Sequence, residues 1–494
     1  MAEETRLKAG ALGAAGITFL VVAAAAPLTI MTGVAPLAIS IGGIGAPFGY
    51  LAAGVVLAIF SVGFMAMTRH TRGAGAFYSY ITLGLGRPLG AASGLLAMLS
   101  YNALQIGVYG LLGTQFAAAW TRFTGADAPW WIFSGVGIVL VWALGRRGID
   151  IGAKVVGVLL IAESAILVLL VIAVLFKAGH LSAGTFTPKA LTDPGMLAIL
   201  GFCFAAFMGF ESTALYRAEA RRPDRTIPRA TYAAVAFLAI FYCLVGWAVV
   251  QAFGDADVVA AAGADPTGLF FSAMDTYVGA WASDIMYVLV LTSVLASQLA
   301  FHNAINRYSL SLAQDGLLPA ALGRVHPRYL SPALAGGVQS VLAAVVVAGF
   351  AITGADPYLQ LMLLVNTPGA IGIVALQALT SAAVLGYFLK RRGVAGARLA
   401  IGSGALATLL LAVVLYVLVD KVALLTGADA STNALLVALV PAEILGGVAW
   451  ALFLKARKPG AYRRIGGDDV RRITTEAGLN QSGPEPVSLK EVTA

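Results

Sequence analysis

The chain has 494 residues, of which 59% are hydrophobic and 11% charged, and its mean hydropathy of +0.87 lies far above that of a soluble domain. The formal charge of +8 does not point to nucleic acid, since no basic stretch is interleaved with aromatic residues. The two cysteines, Cys203 and Cys243, both lie in apolar runs and give no support to a disulfide framework or a zinc site.

A membrane-crossing helix needs about 20 mainly apolar residues. In chain order, apolar segments fall at 14–40, 48–68, 88–120, 130–144, 152–176, 196–216, 230–253, 281–306, 332–353, 358–388, 400–420 and 434–454. They are too long for barrel strands, and only helices or closed barrels satisfy backbone polar groups in lipid. The expected fold is therefore an all-α integral membrane protein with twelve transmembrane helices. With the N-terminus in the cytoplasm, all but Arg122, Lys177, Lys189 and Lys421 of the 32 Lys and Arg fall on the inner side. The positive-inside rule then sets the orientation, with both termini in the cytoplasm of a multi-pass protein of the cytoplasmic membrane. The outer loop 254–284 carries five aspartates and no basic residue, which agrees.

Arg6 and Lys8 precede an apolar stretch ending in "AAAAP", a pattern that a signal peptidase could cut. The run continues to residue 40, so segment 1 reads as a span interrupted by Pro27. Segment 6, "LGFCFAAFMGFESTALY", is interrupted near Gly209. Proline removes a backbone donor and clashes with the preceding turn; glycine weakens a helix less strongly. Interrupted spans at corresponding positions of two halves point to a transporter site built from inverted repeats. Five helices separate the two breaks, and their segments start on opposite sides. At about 1.5 Å of rise per residue, both breaks lie on the order of 15–20 Å deep, at the midplane.

The domain reading follows: a cytosolic N-terminus at 1–13, a first repeat of helices 1–5 at 14–176, a second of helices 6–10 at 196–388, helices 11–12 at 400–455, and a polar cytosolic tail at 456–494. Unwound main chain at Ala24, Ala25, Ala26, Pro27, Leu28 and Thr29, and at Phe207, Met208, Gly209, Phe210, Glu211 and Ser212, would hold a small polar substrate. Tyr101, Asn102 and Gln105 of segment 3, Ser297 of segment 8 and "VNTPG" at 365–369 supply polar and aromatic groups at similar depth. Tyr101 and Asn102 point about 100° apart on a helix, so at most one faces the substrate directly.

Three stretches carry a family resemblance. "GAGAFYSYITLGLGRPLGAASGLL" (73–96), "GFESTALYRAEARRPDRTIPRA" (209–230) and "INRYSLSLAQDGLLPAALGRVHPRYLSPALA" (305–335) resemble, in order, motifs of the amino acid/polyamine/organocation superfamily of secondary transporters. The likeness covers about residues 10–455. It implies a leucine-transporter-like fold of two inverted five-helix repeats with broken helices 1 and 6, followed by two further helices and working by alternating access. It also implies a gating role for Glu211, since a glutamate stands at that place in arginine/agmatine exchangers. Those exchangers have a Gly-rich turn where this sequence has "AAAAPLT".

Glu163 is the second intramembrane acid, level with the breaks by residue count. Such acids are costly in lipid and usually face a cavity or partner. In proton-coupled relatives a lysine occupies about this place, so the resemblance makes Glu163 the proton-coupling group, the alternatives being recognition of a cationic substrate or a structural hydrogen bond. Sodium, whose oxygen-rich coordination would need hydroxyls of segment 8 at the correct depth, is less favoured; "LTSVLASQLAFHN" supplies Ser293 and Ser297. Glu219 and Asp224 are placed to pair with the arginines of 217–229 when an inner gate closes, with Glu219 the gating candidate beside Glu211. His302 reads as a packing histidine.

The expected function is secondary active import of an amino acid or related amine such as a polyamine, coupled to protons, with substrate/product exchange as the alternative. No cofactor, metal or nucleic acid is expected, nor enzyme activity; the partners are the small-molecule substrate, protons and membrane lipid, around a monomer or homodimer. A channel would show a filter motif or a charge ring. A membrane-embedded enzyme would show a nucleophile or metal triad.

Overall fold

The computed structural model describes residues 13–68, 70, 76–147, 153–179, 181–211, 213, 220–326, 329 and 331–466. Among these residues the regular structure is helical, with no strand. Ten stretches are long and apolar enough to cross a membrane: Ala14–Gly33, Ala35–Thr68, Arg87–Thr124, Gly157–Lys177, Pro223–Phe253, Ala280–Gln314, Ala333–Ile352, Pro357–Leu389, Ala397–Asp420 and Ala430–Arg457. Two shorter apolar stretches, Trp130–Arg146 and Pro194–Ala205, occupy segments 4 and 6.

The first third of the chain forms α1 (Ala14–Ala24), α2 (Pro27–Gly33), α3 (Ala35–Gly42), α4 (Ala46–Thr68), α5 (Ala76–Leu85), α6 (Arg87–Thr124), α7 (Trp130–Arg146) and α8 (Ala153–Lys177). Three short helices follow, α9 (Pro188–Leu191), α10 (Pro194–Ala198) and α11 (Leu200–Ala205), then α12 (Pro223–Phe253), α13 (Val258–Ala264), α14 (Leu269–Tyr277) and α15 (Ala280–Gln314). The remainder holds α16 (Ala333–Ile352), α17 (Leu363–Leu389), α18 (Ala397–Asp420), α19 (Val422–Thr426), α20 (Ala430–Arg457) and α21 (Pro459–Arg464).

Several boundaries differ from the sequence reading. Segment 7 was expected from residue 230, yet α12 begins at Pro223, because Pro223 and Asp224 form a favourable first turn. Arg225 and Arg229 therefore sit on helix, not in a connecting loop. The acidic stretch 254–284 contains α13, α14 and the start of α15, and two of its aspartates meet a cation from another element: Arg122, at the end of α6, pairs with Asp275 at 3.4 Å and Asp284 at 2.9 Å.

Small residues let these helices approach closely, as in membrane bundles generally. A Cβ on Gly54 of α4 would come within 2.4 Å of Ala239 Cβ on α12, and one on Gly447 of α20 within 2.5 Å of Ala92 Cα on α6. The main core runs through α1, α4, α8, α12, α15 and α17. A smaller core forms at one end of the bundle from Tyr78, Ala91, Leu312, Leu317, Ala451, Leu454, Ala461 and Ile465. There Tyr78 Oη donates to Asp315 Oδ2 at 2.8 Å and accepts from Gly466 N–H at 2.6 Å.

Candidate functional site

The first interruption lies between α1 and α2. Ala26 takes a left-handed conformation, φ 48° and ψ 67°, and is the only non-glycine residue with positive φ among the described residues. Pro27 then opens α2 at a position where its missing N–H costs nothing. The break therefore precedes the proline that signalled it.

The second interruption follows α11. Beyond Ala205 the backbone tightens into i→i+3 turns, with Met208 N–H donating to Ala205 O at 3.0 Å and Phe210 N–H to Phe207 O at 3.2 Å. Gly209, at φ 101°, supplies a conformation that residues with a Cβ rarely adopt. The two breaks touch: a Cβ on Gly209 would lie 3.4 Å from Ala24 Cβ and 3.9 Å from Ala25 N. Tyr242 of α12 spans them, its hydroxyl 3.5 Å from both Ala25 O and Ala206 O.

Glu211 and Glu163 are both buried and engaged. Glu211 is 6% exposed; Tyr101 Oη donates to its Oε1 at 2.5 Å and Gly209 N–H to its Oε2 at 3.0 Å. The Tyr101 ring lies 5.5 Å from that of Tyr308 and 6.4 Å from that of Phe301. Glu163 is 5% exposed. Its Oε2 accepts from Ser293 Oγ at 2.9 Å, and Thr29 Oγ1 donates to Ser293 Oγ at 2.9 Å. The acid of α8 is thus tied to the second half of broken segment 1 and to α15. Ser293 meets Thr29 across a helix interface.

A cavity opens beside the breaks, about 80 Å³ by the space open to water centres, several times the roughly 10–15 Å³ that one water needs. Ala24, Ala25, Ala26, Thr29, Ala206, Met208 and Ser297 line it, with Asn366 and Thr367 from α17 and a wall of apolar residues from α6, α11, α15 and α17. Ser297 Oγ makes no protein hydrogen bond among the described residues. The Asn366 amide, oriented by its hydrogen bonds, donates to Leu104 O and Ala103 O, each at 3.2 Å.

Not every predicted residue joins this lining. Pro27, Leu28, Phe207 and Phe210 are buried in packing, Phe210 edge-on to Phe60 and Phe207 edge-on to Tyr242. Asn102 turns back on its own helix and donates to Met98 O at 2.7 Å. Gln105 bonds to Gln298 and Gln339, away from the cavity. His302 is buried against Gly145 and Gly336, and neither ring nitrogen has a partner in protein. Ser212 and Glu219 lie outside the described residues. Tyr242, Phe301 and Ser293 were not singled out as site residues; a tyrosine inside the apolar run "AIFYCLVGW" was the available signal for the first. Among the described residues no group of His, Cys, Asp and Glu gathers to hold a metal ion.

The amino acid permease family model matches residues 16–461. The chain belongs to that family. Membership places it among multi-pass membrane transport proteins and not among enzymes. Over 336 residues it is 26% identical to a branched-chain amino acid permease of Lactococcus lactis, covering 62% of this chain and 68% of the relative. It is 27% identical over 320 residues to L-asparagine permease 1 of Mycobacterium tuberculosis, covering 62% of each. An uncharacterized transporter of the same species is 32% identical over 161 residues, 33% of this chain; the match spans about a third (36%) of that relative's length.

Proposed function

We propose that this protein is a secondary active transporter of the cytoplasmic membrane that imports an amino acid or related amine together with protons. On this reading its twelve spans form two inverted five-helix repeats plus two helices, both termini are cytoplasmic, and alternating access moves the site between the two faces. The observation that carries the reading is the contact of two unwound stretches, at Ala25–Ala26 and at 206–209, beside one cavity. Unwound backbone at membrane depth is tolerated only where it is buried in protein or lines a cavity. Its main-chain groups would take the substrate's carboxylate and ammonium, with Ser297 beside them.

Glu163 is the proposed proton-coupling group. Its identified hydrogen-bond donor is neutral, the Ser293 hydroxyl, which itself accepts from Thr29 of α2. A carboxylate holds such donors through charge-assisted bonds roughly twice as strong as those a neutral acid forms. Proton uptake therefore loosens α8 from the start of α2, and proton loss tightens it. A proton arriving from outside would release the second half of segment 1 to move, which couples protonation to rearrangement of the site. Glu211, held by Tyr101 on α6, is the proposed gating acid.

The test uses purified protein in proteoliposomes with labelled substrate. Wild type accumulates substrate when the outside is acid. Glu163→Gln loses at least tenfold of that gradient-driven accumulation and keeps counterflow, which needs no net proton movement. Accumulation by Glu163→Gln as strong as in wild type removes Glu163 from coupling. Exchange without any response to a pH gradient in wild type favours an antiporter.

A further inference from the structure

The cavity's chemistry narrows the substrate class, an inference that rests on the transporter reading above. We propose that the cavity selects a zwitterionic amino acid with an aliphatic side chain and rejects amines or amino acids with a second positive charge.

The argument begins with where the acids point. A polyamine or a basic amino acid needs a carboxylate to replace the water it gives up on entry, because an unpaired charge in a low-dielectric site carries a penalty of several kcal/mol. Two acids lie near the breaks, but neither lines the cavity. Both oxygens of Glu211 are already used, one by the Tyr101 hydroxyl and one by the Gly209 N–H. Glu163 faces Ser293 behind α2. Among the described residues the cavity wall holds no Asp, Glu, Lys, Arg or His.

Neutral polar groups are similarly committed. Thr29 donates to Ser293, Thr367 to Leu363 O at 2.7 Å, and the Asn366 amide to two carbonyls of α6. Among the described lining side chains Ser297 is the hydroxyl with its donor free, and it stands near the breaks, where the substrate's own charged groups would be accommodated. Away from the breaks the wall includes Val108, Leu111, Phe202, Met362 and Ile371. An aliphatic side chain placed there gains the transfer free energy of apolar surface leaving water. A side-chain amide would lose hydrogen bonds to water and find the donors of Thr29, Thr367 and Asn366 already committed, so asparagine should also compete poorly.

The test is inhibition of L-[³H]leucine counterflow in proteoliposomes of the full chain by unlabelled L-leucine, L-isoleucine, L-valine, L-asparagine, L-lysine and putrescine. The first three are expected to inhibit at concentrations at least tenfold lower than the last three. Lysine or putrescine counterflow as fast as that of leucine overturns the proposed substrate class while leaving the transporter reading intact. Absence of counterflow for every amino acid and amine tried overturns the transporter reading itself. Val108→Phe, which fills the apolar wall, is expected to move the leucine-to-alanine counterflow ratio at least tenfold toward alanine. An unchanged ratio in folded Val108→Phe means that the side chain goes elsewhere and overturns the assignment of this cavity.

Discussion

Ala26 carries a conformation its side chain resists. A left-handed L-residue costs roughly 1–2 kcal/mol, whereas glycine at the same place would cost about 0.4–1 kcal/mol through the freedom it gives the unfolded chain. The first number exceeds the second, so Ala26→Gly should raise the thermal unfolding temperature slightly. Ala26→Val, with a branched Cβ, should lower it clearly; both are read by intrinsic fluorescence in detergent. A valine variant as stable as wild type would mean that residue 26 is not left-handed. The sequence "AAAAPLT" announced an interruption through its proline. It could not announce a left-handed residue 26, because alanine has the highest helix propensity and a proline biases the residue before it toward extended backbone.

The broken stretches act as a pair of elements, and Gly209 is where they meet. Adding one methyl there places it 3.4 Å from Ala24 Cβ, an ordinary van der Waals distance, but on a backbone with φ near 101°. Unusual backbone conformations of this kind cost on the order of 1–3 kcal/mol in a residue with a Cβ. Gly209→Ala is therefore expected to reduce uptake at least tenfold while the protein still elutes as a folded species on size exclusion. Full uptake by that variant would show that the stretches need not touch. At this scale the sequence was informative about depth. Counting residues placed Glu163 level with both interruptions, and Ser293 joins its carboxyl to Thr29 just after the first of them. Partners across helix interfaces were hidden, since Ser293 meets Thr29 through a packing arrangement that no local spacing encodes. Asn102 shows the converse: its depth suited a site, but its amide is satisfied by the turn before it.

For the molecule as a whole, hydropathy and charge asymmetry exposed the helical segments because lipid and the membrane interface select residues directly. The short helices were less legible. α21 and the residues after it read as the start of a polar tail, yet Ile465 is fully buried in the small core at the end of the bundle assigned to the cytoplasm. Placing a carboxylate in that apolar site costs several kcal/mol, so Ile465→Asp should lower the unfolding temperature markedly. Tyr78→Phe leaves Gly466 N–H without its hydroxyl partner and should cost less, about 1–3 kcal/mol. Both are measured by thermal unfolding in detergent, and Ile465→Asp proving neutral would argue that the segment does not dock.

That docking also sets an order of events. The Tyr78 hydroxyl joins residues 78, 315 and 466, three points spread from the early to the late part of the chain. Translation delivers the third long after the other two, so this corner of the bundle cannot finish assembling until the ribosome has passed residue 466. Defects there should consequently surface as poor recovery of mature protein from cells, even in variants whose surviving molecules handle cargo normally.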